Sequence, residues 1–389
     1  MDSISIIYLL CLIFSGAAIL ATVSLSLGQS LIISYIVLGV LIGPYGFSFI
    51  EDPTLVQNIS NVGIIFLLFL LGLNLHPQEL FRMASETFLV TGVSSLVLWI
   101  IGFGFGSLMG YEFLESMLIG ASLIFSSTII GLKLIPTTML HHQRTGEVII
   151  SVLLFQDILA IILLLVLDGT SEAGFDFLVL GRSLIAFPLL ILFTYLLEKY
   201  FLIRLIAKFD RIQEYIFLLA IGWCLGIAQI AEHFGLSYEI GAFVAGVSIA
   251  RSPIALFIAE HLKPLRDFFL IIFFVALGAN FNISILEKIW LPALGLTLIS
   301  ITIKPWLFRQ LLRTSHESSG RATEVGMRLG QMSEFSLLLA VIATEMTLIR
   351  AEVNYLIQVA TMASFIFSSW YVVRRYPTPI ATDDKLRRD

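Results

Sequence analysis

The chain has 389 residues, of which 58% are hydrophobic and 13% charged, with a mean hydropathy of +0.96. A soluble domain carries about 25% charged residues, so this composition excludes a soluble enzyme and describes an integral membrane protein. The net charge of −5 carries little information here, because the placement of charges outweighs their sum.

Apolar runs long enough to cross a hydrocarbon core of about 30 Å fall near 4–24, 29–47, 57–75, 85–110, 114–134, 146–167, 176–200, 212–233, 236–250, 265–281, 286–310, 322–346 and 352–372. They predict thirteen helices. The first lacks a basic leader and an A-x-A-like cleavage site, so it reads as a mature span. The ninth is short, and the second, fourth and ninth contain glycines suited to close packing. Cys11 and Cys224 lie inside apolar runs and give no disulfide or metal spacing. No His/Cys cluster, phosphate loop or nucleophile–base set appears, so no enzyme, cofactor or nucleic-acid partner is expected.

Lysines and arginines set the orientation. Eighteen of the 23 fall in loops that alternate onto one side, from Arg82 to Arg388. Lys288 and Arg350 lie on the other side, and Arg182, Lys304 and Arg328 lie within spans. Basic loops stay cytoplasmic, which predicts the N-terminus outside and the C-terminus inside.

Three local matches recur at an offset of about 205 residues. SYIVLGVLIG from Ser34 pairs with SYEIGAFVAG from Ser237, Leu71–Asn74 with Leu277–Asn280, and Ser126–Ser127 with Ser333–Glu334. The offset is seven helices, and an odd number makes each pair antiparallel across the membrane. That is the inverted-topology repeat of secondary transporters, with helix 7 as linker.

Helix 6 carries the most expensive residue. VLLFQDILAI puts Gln156 and Asp157 near the middle of an apolar run, and an ionised Asp there costs roughly 2.5–3.5 kcal/mol. Helix 5 carries Phe125-Ser126-Ser127-Thr128 at its centre, and helix 12 carries Gly330-Gln331-Met332-Ser333-Glu334. The repeat makes these two crossing, partly unwound segments, with Gln331 and Ser333 at the second break. The simpler alternative is that Ser and Thr bond back to the preceding turn and only bend a helix.

A carboxylate with hydroxyls, an amide oxygen and carbonyls suits an alkali cation, with Asp157 as its anchor. The same carboxylate holds a proton instead if its proton affinity exceeds that of a solvated Asp by about 10³, roughly 4 kcal/mol. A purely structural buried ion pair is its other reading. Lys304, before Pro305 in helix 11, either snorkels to the interface or pairs with Asp157 until a cation binds. Pro305 disfavours helical geometry at Lys304. Glu334 either coordinates the cation, neutralises Arg328 six residues earlier, or supports the bundle.

FSSTIIGLKL, FQDILAI, SYEIGAFVAGVSIA, PLRDFFLIIFFVALGANFN, Lys304 and GQMSEFSLLLA together resemble the monovalent cation:proton antiporter family of the Kef/KEA type. The resemblance runs in order along almost the whole chain. It implies an all-α sodium/proton-exchanger fold in the inner cell membrane. Residues 1–373 would form the transmembrane antiporter domain and 374–389 a short cytoplasmic tail. Helices 4–6 and 11–13 would form the ion-carrying core, and helices 1–3 and 8–10 the scaffold of a homodimer. It further implies Asp157 as the shared proton and cation carrier, with Gln156, Ser126, Ser127 and Thr128 around it. Lys304 matches the family's helix-11 lysine and Glu334 its helix-12 acid. Gln156 stands where many sodium-selective relatives have Asn, which points to K⁺ ahead of Na⁺ as substrate. Kef-type proteins often carry a nucleotide-binding domain after the last helix, and with only about 16 residues following Val373 such gating is not expected of this chain. The alternative is a channel-like potassium efflux protein on the same fold, although no filter motif or pore-lining charge ring is visible.

Overall fold

The computed structural model describes residues 6–27, 29–74, 77–133, 144–171, 174–175, 177–209, 212–250, 252 and 254–378. They are almost wholly helical: α1 (Ile6–Ser26), α2 (Leu31–Ile42), α3 (Thr54–Asn74), α4 (Pro77–Leu108), α5 (Phe113–Ile124), α6 (Thr128–Lys133), α7 (Arg144–Asp168), α8 (Phe177–Leu197), α9 (Ile203–Phe209), α10 (Gln213–His233), α11 (Tyr238–Ile249), α12 (Ala255–Ala279), α13 (Leu286–Leu298), α14 (Lys304–Thr314), α15 (Ser319–Arg328), α16 (Glu334–Glu345) and α17 (Ala351–Arg375). Two two-residue strands, β1 (Thr170–Ser171) and β2 (Gly174–Phe175), form a small antiparallel hairpin. Among the described residues, seven helices are long and apolar enough to cross a membrane, and α2, α5 and α11 are apolar but shorter.

Several helix ends differ from the sequence reading. The tenth run was expected to begin at 265, yet α12 begins at Ala255 and carries Pro264 inside it. Its first turns bury Ile258 and Leu262, and that buried stripe outweighs the hydrogen bond the proline forfeits. The seventh and eleventh runs continue past their apolar limits through π turns, Glu198–Leu202 into α9 and Ile299–Ile303 into α14. The eleventh corrects the expectation at Lys304, whose backbone is helical (φ −62°, ψ −49°) despite the following proline. The wider turn lets the helix pass Pro305 without breaking. The tail residues from 379 onward, including Lys385, Arg387 and Arg388, lie outside the described residues.

The chain divides into two compact units. The first comprises Met1–Ala17, Tyr35–Leu80 and Ile161–Asn280. In it α3 lies between α11 and α12, and α10 packs on α11. With no hydrophobic drive between helices in lipid, close backbone approach has to hold such a unit together, and glycine supplies it. A Cβ on Gly39 would collide with the Val275 carbonyl and one on Gly278 with that of Ile36, where α2 crosses α12. A Cβ on Gly72 would collide with the Phe243 carbonyl and one on Gly246 with that of Phe69, where α3 crosses α11. α2 and α11 carry one matched pair of sequence segments, α3 and α12 the other. The two crossings therefore join members of the same two matched pairs of segments.

The second unit comprises Ala18–Ser34, Phe81–Ala160 and Phe281–Asp389. One apolar core joins Val90 of α4, Val148, Ile149, Val152 and Leu153 of α7, Phe308 and Leu312 of α14, and Ala322 and Val325 of α15. Gly102 of α4 lies on Gly120 of α5, and α16 and α17 pack on each other. Overpacking at the first unit's crossings is expected to cost about 1–3 kcal/mol. Gly72→Leu and Gly278→Leu should therefore lower the melting temperature of the detergent-solubilised protein. Gly92→Ala, with nothing near its Cβ position, should leave that temperature equal or higher.

Candidate functional site

The second unit contains two interrupted helices. α5 stops at Ile124, Phe125 is extended (φ −82°, ψ 142°), and α6 begins at Thr128. Ser127 Oγ accepts from Ile130 N at 3.1 Å, so the hydroxyl starts the new helix as a cap. In the second interruption α15 stops at Arg328, Ser333 is extended (φ −128°, ψ 156°), and its Oγ accepts from Phe335 N at 3.1 Å. Each break strands backbone groups that inside a membrane require partners from the protein itself.

The two breaks supply many of those partners to each other. Ser127 N donates to Met332 O at 3.1 Å and Ser126 Oγ to Leu329 O at 2.8 Å. Ser336 Oγ donates to Ser122 O at 2.6 Å. Neighbouring helices complete the set: Ser300 Oγ reaches Gly330 O at 2.8 Å, Met332 N donates to Ser364 Oγ at 3.1 Å, and Ser368 Oγ donates to Gln331 Oε1 at 3.0 Å. Gln156 brackets the first break, its Oε1 accepting from Ser126 N at 2.9 Å and its Nε2 donating to Ile124 O at 2.9 Å. Both ends of the amide are thus engaged on backbone, with one acceptor site of Oε1 taken by Ser126 N.

Lys304 is fully buried, and its ammonium lies on one carbonyl from each break, Phe125 O at 2.6 Å and Gln331 O at 3.0 Å. Both readings of Lys304 are corrected. It does not snorkel, and no ion pair joins it to Asp157. The stranded carbonyls are its partners, since each would be costly to leave unpaired in a dry interior. Arg328 is likewise not neutralised by Glu334. It pairs with Glu324 one turn earlier, at 2.9 Å.

Asp157 stands apart from this network. It is 4% exposed, and among the described residues no hydrogen bond or ion pair reaches its carboxylate. Glu334 Oε1 accepts from Thr128 N at 3.2 Å and Thr128 Oγ1 at 2.6 Å. The structure thus joins Ser126, Ser127, Thr128, Gln156, Lys304, Gln331, Ser333 and Glu334 in one framework and leaves Asp157 beside it. Ser300, Ser336, Ser364 and Ser368 were missed. The signal for the last two was a polar stripe at helical spacing, Thr361, Ser364 and Ser368, along α17.

Two charged staples lie near helix ends. Glu115 of α5 takes Arg350, before α17, in a two-pronged pair at 2.7 and 2.6 Å. Glu317 joins Arg321 of α15 and, at 3.0 Å, Arg144 of α7. Burial raises the Glu317 carboxyl, but hydrogen bonds from Arg321 and then Arg144 outweigh it and hold it below the ordinary glutamate value.

Two expectations follow. Gln156→Ala should speed hydrogen exchange at the Ser126 amide about 10-fold or more, the consequence of losing a buried hydrogen bond. A carboxyl held low in the folded state contributes stability that is complete above its unfolded pKa and is lost as pH falls through the folded one. The melting-temperature gap between the native protein and Glu317→Gln should therefore be open at neutral pH and close on acidification below the glutamate range.

Comparison with known proteins places the chain in context. The family model described as sodium/hydrogen exchanger, transmembrane, matches residues 12–373. K(+) efflux antiporter 4 of Arabidopsis thaliana is 29% identical over 347 residues, covering 87% of this chain and 58% of that protein. K(+) efflux antiporters 6 and 5 of the same plant are 27% and 28% identical, covering 91% and 92% of this chain and 60% and 64% of those proteins. The chain thus spans about three-fifths of the length of these relatives. The solved structure of the sodium proton antiporter MjNhaP1 from Methanocaldococcus jannaschii at pH 8 superposes with a TM-score of 0.66 at 19% identity, covering 93% of this chain and 94% of that one. An electron-microscopy structure of the same antiporter gives 0.65 at 18% identity, covering 96% and 94%. At that identity the likeness concerns the fold.

Proposed function

The chain belongs to the sodium/hydrogen exchanger transmembrane family, and from that premise we propose that it exchanges a monovalent cation for a proton, with Asp157 carrying each in turn. The observation that carries this reading is the buried Asp157 carboxylate with no described partner, next to a framework in which Gln156 and Lys304 are engaged on backbone groups of the two breaks. A carboxylate in that setting is costly when ionised and empty. A proton removes the cost by neutralising it, and an alkali cation by compensating it. Either occupant excludes the other.

Lys304 gives the exchange its stoichiometry. Its ammonium is committed to the two breaks and not to Asp157, so a single group trades occupants. One proton moves for one cation, and the cycle is electroneutral. K⁺ is the preferred substrate and Na⁺ the second, a choice supported by Gln156 beside Asp157 and by the printed names of the plant relatives. In this reading the thirteen helical runs are membrane spans with the N-terminus outside and the C-terminus inside, and the repeats are inverted. The second unit is the moving ion carrier. The first, stiffened by its glycine crossings, is the scaffold on which two copies dimerise in the cell's inner membrane.

Purified protein in liposomes with an imposed proton gradient should dissipate it when K⁺ is added. The rate should not change when the membrane potential is clamped. Asp157→Asn should reduce exchange to the rate of empty liposomes, and full exchange by that variant would refute the shared-carrier mechanism.

A further inference from the structure

Arg328 closes α15 immediately before the second break, and its side chain is 1% exposed. A buried guanidinium is tolerated only with its donors satisfied. Nε donates to Glu324 Oε1 at 3.0 Å, and a terminal nitrogen donates to Pro377 O at 3.0 Å. The Tyr376 ring covers the guanidinium at 5.4 Å. The segment after α17 therefore does not leave the unit. The Tyr376 amide donates to Val372 O at 2.9 Å, and two residues on Thr378 is fully buried.

A continuous path runs from this segment to the carboxylate. Arg328 is followed by Leu329, whose carbonyl accepts Ser126 Oγ at 2.8 Å. The Ser126 amide donates to Gln156 Oε1 at 2.9 Å, and Gln156 precedes Asp157. Every link is a covalent neighbour or a buried hydrogen bond, the kind of contiguous network able to transmit a shift. The next two carbonyls of the break are held by Ser300 and Lys304, so Leu329 is where a pull on Arg328 enters.

We infer that Tyr376–Thr378 is a latch on the second break: seated on Arg328, it fixes the position of residues 329–333, and its release loosens both breaks and weakens cation binding at Asp157. Arg328 is a positioning residue, and whatever engages the chain beyond Thr378 would act on transport through it. The transport consequence rests on Asp157 as ion carrier. The structural consequence does not.

Three forms test this: the native protein, Tyr376→Ala, and a chain ending at Arg375. Release is read from Thr378→Cys in a Cys11→Ser, Cys224→Ala background, which should react slowly with a membrane-impermeant maleimide and about 10-fold faster or more once Tyr376→Ala is added. Both the shortened chain and Tyr376→Ala should raise the half-saturating K⁺ concentration for liposome exchange by about 2- to 30-fold, the range of coupling changes along such networks. The maximal rate should stay within about twofold. Hydrogen exchange should quicken at Ser126–Ser127 and at 329–333. If the shortened chain does not fold, Tyr376→Ala alone decides. A released tail with unchanged exchange at the breaks overturns the latch, whatever transport shows. Loosened breaks with unchanged half-saturation overturn its link to the cation. A native protein that transports no better than Asp157→Asn would instead sink the ion-carrier reading, leaving hydrogen exchange to judge the latch.

Discussion

A lysine ammonium shared between two stranded carbonyls is the contact on which the second unit depends. Non-helical backbone survives at membrane depth only where the protein itself satisfies it, and here two chain breaks cross at one point. Phe125 O and Gln331 O would otherwise face each other as unpaired acceptors of like partial charge. Lys304 supplies donors to both from a single buried nitrogen. The preceding π turn is what delivers it, carrying the helix past Pro305 while keeping Lys304 turned inward. The serine hydroxyls and the Gln156 amide then fill the remaining positions around that fixed point.

This arrangement divides the positive charge at the site into two kinds. The ammonium is built in and occupied by backbone, so it does not neutralise the carboxylate beside it. Asp157 keeps the cost of burial, eased by neither Gln156, which faces the break, nor Glu334, whose Oε1 accepts from Thr128. A buried charge with a permanent partner is inert, whereas one without is obliged to find an occupant. The framework spends its amide and ammonium on the two breaks, and Asp157 is left without a hydrogen bond beside it.

The first unit solves membrane packing by the opposite means. Few hydrogen bonds link its helices, and its crossings are backbone against backbone at Gly39–Gly278 and Gly72–Gly246. Both units draw on repeat-related segments, yet one uses the repeat to bring Cα atoms into contact and the other to bring broken ends together. Small residues give rigidity at low polar cost. Hydroxyls and amides hold broken ends in place at a higher polar cost.

Much of this was legible in one dimension. The apolar runs, the imbalance of basic residues, the carboxylate stranded at Asp157 and the polar interruptions at Ser126–Thr128 and Gly330–Glu334 all follow from transfer free energies that act on each residue according to its depth. The resemblance in motifs likewise pointed to the exchanger family that the comparisons bear out. What the sequence left open were choices between partners: whether Lys304 faced the carboxylate, the interface or the backbone, and whether Gln156 faced an ion or a break. Those partners lie far away along the chain, as with Lys304 and Phe125, 179 residues apart, or Thr128 and Glu334, 206 apart. Helix ends at Pro264 and at the π turns were also decided by packing against neighbours. Burial cost is a property of a residue and its depth, so the sequence by itself determined which groups need compensation. Directional bonds are a property of pairs brought together in space, so only the tertiary structure decided which groups provide it.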